Sequence, residues 1–87
     1  MAKILIIDDD PLVAESLSHV VEKLGHRALL AGSVAEAHKA VRAQDIDLVF
    51  CDVRMPDGSG LDLLPDLRVT PSAPEVIIMT GFGDPDG

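Results

Sequence analysis

Four short apolar runs without polar alternation dominate this chain: KILII (residues 3–7), RALLA (27–31), LVFC (48–51) and EVIIM (75–79). A strand with one wet face alternates apolar and polar residues, whereas a strand covered on both faces does not. Between these runs the spacing turns helical. Asp10 is a candidate N-cap and Pro11 suits a first helical position. Val13, Leu17, Val20, Val21 and Leu24 then recur at helical intervals until Gly25 ends the pattern. Ser33 followed by Glu36 has the capping-box pattern, and the helix it opens is expected to bury Val34, Ala37 and Val41. A third helix is expected over 61–68, with Leu61, Leu64 and Leu67 on one face, although Pro65 removes one of its hydrogen bonds. The tail GFGDPDG (81–87) reads as a loop. The order β-α-β-α-β-α-β predicts an α/β domain: a parallel sheet with helices on both faces.

Composition narrows what such a domain does. With 87 residues there is room for one small domain. Two Phe and no Trp or Tyr leave the core to aliphatic side chains. A net charge of -8 argues against direct nucleic-acid binding, which needs clustered Lys and Arg, and against anionic membrane surfaces. The one cysteine, Cys51, forms no internal disulfide, so a cytoplasmic location is expected. The opening MAKILIIDDD is not read as a signal peptide, and no apolar run approaches the roughly 20 residues of a spanning helix.

The chemistry sits at the strand ends. In doubly wound sheets the functional face lies beyond the carboxyl ends of the strands. The first run ends on Asp8 and Asp9, the third on Asp52 and the fourth on Thr80. If the first and third strands are neighbours, their carboxylates converge. Two carboxylates about 4 Å apart repel by roughly 4 kcal/mol at an effective dielectric near 20. Three stay ionised together only with a compensating cation or proton. An all-oxygen site selects a hard divalent ion, and Mg²⁺ fits best because it takes one or two carboxylates and keeps waters for a phosphate-bearing substrate. His19, His26 and His38 stand on separate elements and read as surface residues rather than zinc ligands.

Plainer readings stand beside these. Acids at strand ends also serve as helix caps or solvated loop residues, and Asp10 reads as a cap. Cys51 reads as a small buried hydrophobe. Arg54 and Asp57 read as a surface pair. Gly32, Gly81 and Gly83 mark turns, since no Gly-rich phosphate motif occurs.

ILIIDDDPLV, LVFCDVRMPDGSGLDLL and VIIMTG, in this order and spacing, resemble the receiver domain of bacterial two-component response regulators. DVRMPDGSGLDLL with IIMTGFGD is more particularly similar to receivers of activators that work with the alternative sigma factor for nitrogen-regulated promoters. The resemblance implies a flavodoxin-like doubly wound sheet, here of four strands in the order 2-1-3-4 with three helices. It implies one receiver domain over 1–87, incomplete at its C-terminus. The family's fifth strand, last two helices, strand-end lysine and aromatic switch residue are not found in these residues. Lys3, Lys23 and Lys39 are misplaced for the lysine's role.

By the same resemblance, Asp52 is the phosphoacceptor for a sensor histidine kinase. Asp8, Asp9, Asp52 and the backbone carbonyl of Arg54 hold Mg²⁺. The Thr80 hydroxyl and the Gly81 N–H bind the phosphoryl group. The implied module is a switch and not a turnover enzyme, and it is expected to control an output domain outside this chain, with transcription as the expected output. Self-association through the surface around 75–80 is expected where sheet edge and apolar surface stand open. Two other functions compete: an interaction module that never carries phosphate, and a phosphohydrolase of the haloacid-dehalogenase class. The latter wants an acid two residues after the nucleophile, where Arg54 stands.

Overall fold

The computed structural model describes residues 1–55, 57–59, 62, 65 and 74–79. Within them lie β1 (Lys3–Ile7), α1 (Pro11–Lys23), β2 (Arg27–Ala31), α2 (Val34–Ala43), β3 (Leu48–Asp52), β4 (Arg54–Met55), β5 (Gly58–Ser59) and β6 (Glu75–Met79). The helix expected over 61–68 and the loop over 81–87 fall largely or wholly outside the described residues.

The four long strands form one sheet in the order β2-β1-β3-β6, and every pairing is parallel. This is the expected 2-1-3-4 order. Chain reversal occurs between β1 and its two neighbours: β2 lies on one side and β3 on the other. As the central strand, β1 is covered on both faces, and Ile4, Leu5, Ile6 and Ile7 are all buried. Its unbroken apolar run follows from that position.

Successive β1 residues point to opposite faces and feed two cores. Leu5 and Ile7 join Val49, Cys51, Ala31, Ile46 and the α2 residues Ala37 and Val41. Ile4 and Ile6 join Ala14 and Val21 of α1, with Leu17, Leu48 and Phe50 against them. The two helices therefore cover opposite faces of the sheet, as right-handed crossovers on either side of a switch point require. Full burial of a Leu or Ile side chain contributes roughly 1.5–3 kcal/mol.

α1 begins as the sequence predicts. The Asp10 carboxylate accepts the Leu12 N–H at 3.0 Å, and Pro11 occupies the first turn. It ends in a Schellman arrangement: Gly25 N–H donates to Glu22 O, and His26 N–H to Val21 O. Gly25 takes φ 89°, which a side chain would oppose. The buried stripe differs from the expected one. Ala14, Leu17 and Val21 face the sheet, while Val20 and Leu24 are 56% and 70% exposed and Val13 is exposed as well. Small Ala14 lets the helix approach the sheet, and this turns the larger Val13 outward.

α2 buries Ala37 and Val41, with Val34 packed at their edge, as expected. Ser33 Oγ accepts the Glu36 N–H at 3.1 Å. The reciprocal half of the box is shifted, because Glu36 Oε2 takes the Gly32 N–H at 2.9 Å instead of that of Ser33. A second, two-stranded antiparallel sheet joins β4 to β5, pairing Arg54 with Ser59 and Met55 with Gly58.

Candidate functional site

The carboxyl edge of the sheet gathers the acids. Ile7 pairs with Cys51, so Asp8 and Asp52 stand side by side one step further along two neighbouring strands. Asp8 is tied to β2 by its N–H, which donates to Ala31 O at 3.0 Å. Asp52, the last residue of β3, pairs with Met79, and the ladder continues through Val53 N–H to Met79 O at 3.4 Å. Backbone pairing thus fixes both acids before any side-chain contact is made. Asp8, Asp9 and Asp52 each present a carboxylate oxygen within 4.8 Å of the others.

Asp8 is the buried member, at 8% exposure, while Asp9 faces solvent. The Asp8 carboxylate accepts the Asp10 N–H at 2.9 Å, which favours its charged form. That bond is outweighed. Burial above all, then the charge of Asp52, a hydrogen bond with Asp52 and the charge of Asp9, hold the Asp8 carboxyl above its usual 3.8. Each acid added to the cluster therefore costs free energy until a proton or a cation offsets it.

The donor set is hard. Beneath the cluster, Cys51 is fully buried, and burial with the charge of Asp52 pushes its thiol up to about 11. Its Sγ lies 3.6 Å from the Asp52 carbonyl oxygen, which it meets as a weak donor. Cys51 thus behaves as the small hydrophobe expected of it and offers no thiolate. The histidines stay apart. His19 lies 4.0 Å from Glu15 on the exposed side of α1, and His38 stands on α2. His26 is half-buried and not simply a surface residue, because its Nδ1 accepts the Ala2 N–H at 3.0 Å. Three carboxylates without nitrogen or sulfur match Mg²⁺ chemistry.

Arg54 opens β4, two residues beyond Asp52, which brings its backbone close in sequence to the cluster. Thr80 and Gly81 lie outside the described residues. Lys3 opens β1 at the opposite edge of the sheet, Lys23 stands in the last turn of α1, and Lys39 is exposed on α2.

Asp57 has a role that the sequence pattern did not suggest. Its carboxylate caps α2: Oδ1 accepts the Val34 N–H at 2.8 Å and Oδ2 the Ala35 N–H at 3.1 Å. These two bonds, in that order, hold its carboxyl below the usual 3.8. No local pattern announces this cap, because donor and acceptor are 22 and 23 residues apart.

Comparison with known proteins agrees with this geometry. The family model described as "Response regulator receiver domain" matches residues 4–87. Among curated proteins, the probable transcriptional regulatory protein TcrX of Mycobacterium tuberculosis is 38% identical over 77 residues, covering 88% of this chain and 33% of that protein. The transcriptional regulatory protein ZraR of Escherichia coli is 37% identical over 79 residues, covering 91% and 18%. The response regulator protein PilR of Pseudomonas aeruginosa is 33% identical over 84 residues, covering 97% and 19%. The chain thus spans about a third or less of the length of these relatives.

Among solved structures, the MaeR response regulator bound to beryllium trifluoride superposes with a TM-score of 0.82 at 37% identity, over 93% of this chain and 68% of that one. TrrA of Thermotoga maritima, in complex with Mg²⁺ and a beryllium fluoride, gives 0.84 at 30% identity, over 95% and 72%. Strand order, the convergence of three carboxylates on one sheet edge and the match over residues 4–87 show that this chain belongs to the response regulator receiver domains of two-component signalling.

Proposed function

We propose that residues 1–87 act as a single receiver unit in which Asp52 accepts a phosphoryl group from the phosphohistidine of a sensor histidine kinase. The observation that carries this reading is the convergence of Asp8, Asp9 and Asp52 at the carboxyl edge. A carboxylate oxygen of Asp52 forms the new P–O bond as the P–N bond to the kinase histidine breaks, and the electron pair leaves with the imidazole. A carboxylate needs no general base for such an attack. Burial of Cys51 and pairing with Met79 hold Asp52 at the strand end, so little reorganisation precedes the reaction.

Mg²⁺ would be held by Asp8, Asp9, Asp52 and the Arg54 backbone carbonyl. When bound, it neutralises charge on the equatorial phosphoryl oxygens. Asp9, open to solvent, leaves an approach for the donor. Thr80 directly follows Met79, the register partner of Asp52, and its hydroxyl is assigned to a phosphoryl oxygen, with the Gly81 N–H beside it. The unit is a phosphoacceptor switch in the cytoplasm. Relatives named as transcriptional regulators support transcription as the output, through a domain outside these residues. The activator subfamily that works with the alternative sigma factor is the narrower form of this reading.

Self-association is part of the same proposal. Among the described residues β6 pairs only with β3, and its Ile77 is 46% exposed. An open strand edge carrying apolar side chains favours pairing with a second copy.

Incubating the protein with Mg²⁺ and a small-molecule phosphodonor, then measuring intact mass, tests the function. A phosphorylated species in the parent and none in Asp52→Asn supports it. Steady turnover of the donor would point to a phosphohydrolase, and absence of any adduct to a module that carries no phosphate.

A further inference from the structure

The strongest relationship outside the acid cluster joins the β4–β5 hairpin to α2. Asp57 stands at the hairpin tip, and its two carboxylate oxygens take the N–H groups of Val34 and Ala35. The next residue, Gly58, has φ 152°, and a Cβ there would lie 3.7 Å from Val34 Cγ2 and 3.3 Å from Asp62 Oδ2. Asp57 therefore seats the hairpin against the start of α2, Val34 lies at van der Waals distance from Gly58, and the positive φ of Gly58 favours glycine. Its strands are two residues each, too short to hold a fixed position unaided. α2 is rooted in the core by Ala37 and Val41. β4 opens at Arg54, two residues beyond Asp52.

We propose that Asp57 is a positioning residue for the cation site: by clamping the hairpin to α2 it fixes the backbone carbonyl of Arg54 toward the three aspartates. The proposal rests on the assignment of that carbonyl as a Mg²⁺ ligand. Without the clamp the hairpin samples more positions, and binding Mg²⁺ must order it first, which weakens affinity. Groups that orient metal ligands from behind commonly change affinity by about tenfold or more when removed.

The test compares Asp57→Ala, Asp57→Asn and Ser33→Ala with the parent. Ser33 caps the same helix through the Glu36 N–H, a bond within α2 rather than to the hairpin, so it controls for loss of a cap as such. Mg²⁺ affinity is measured by calorimetry, and amide exchange by NMR at Arg54, Met55, Gly58 and Ser59. Asp57→Ala is expected to weaken Mg²⁺ binding about tenfold and to speed exchange at those four amides. Asp57→Asn, which keeps one acceptor oxygen, falls between it and the parent. Ser33→Ala leaves both readouts unchanged. Parental Mg²⁺ affinity in Asp57→Ala, or equal losses in Ser33→Ala, overturns the proposal. A parent that binds no Mg²⁺ refutes the cation site and the positioning role with it, while unchanged exchange in Asp57→Ala refutes the clamp alone.

Discussion

Asp8 and Asp52 sit side by side on neighbouring parallel strands, one residue beyond the Ile7–Cys51 pair, and the charge of Asp52 adds to the cost of ionising Asp8. The sheet places them there through main-chain pairing. Their repulsion is stored in the fold itself and is released by whatever positive charge the site takes up.

Replacing Asp8 by Asn removes one buried charge from the cluster. In chelator at neutral pH the variant is expected to be more stable than the parent by on the order of 1–3 kcal/mol, the scale of one close carboxylate contact. The Asp8 carboxyl titrates above 3.8 in the folded chain. Its destabilising effect is therefore complete above the folded value, fades as pH falls through it, and is gone only below 3.8, where folded and unfolded chains are both protonated. Urea denaturation across pH, with and without Mg²⁺, measures this. A gain that persists unchanged at low pH would contradict it.

Asp57 has the opposite sign. Its carboxyl is held below 3.8 by the Val34 and Ala35 N–H groups, so the cap stabilises the fold above 3.8 and is lost as pH falls through the lowered value. Thermal melts of Asp57→Ala are expected to lie below the parent at neutral pH and to merge with it in acid.

Cys51 offers a probe of the strand beneath the site. With its thiol at about 11, only about a thousandth is thiolate at pH 8, and the side chain is fully buried. A thiol reagent is expected to label the native protein only as fast as the sheet opens and to label it promptly in denaturant. Prompt labelling of native protein would contradict the burial.

The rotation of α1 is testable by size. Ala14→Leu is expected to cost about 1–3 kcal/mol through overpacking. Val13→Ser, at an exposed position, is expected to change stability by about 0.5 kcal/mol or less. Comparable losses in both variants would restore the stripe read from spacing.

The fold and the acid cluster were largely legible because both follow from strand-level signals. The β1 run has no alternation because both of its faces are buried, and Asp8, Asp9 and Asp52 lie where apolar runs stop. Three features escaped for identifiable reasons. Val13 and Ala14 both fit a helical stripe, and only closeness to the sheet selects the smaller. Ile46 is fully buried, but it stands alone between α2 and β3, outside any periodic run. The Asp57 cap joins segments more than twenty residues apart, and local spacing carries no trace of it. Local pattern reports burial and strand ends well, whereas tertiary side-chain-to-backbone bonds appear only once the strands are assembled.

The central claim is that Asp52 carries the phosphoryl group. After incubation with a phosphodonor and Mg²⁺, borohydride reduces an acyl phosphate at the carboxyl that bears it, and peptide mapping locates the reduced residue. The account expects reduction at residue 52 alone, abolished by omitting Mg²⁺ or by Asp9→Asn. Reduction at Asp8 or Asp9, or equal reduction at residue 52 in chelator, would contradict it.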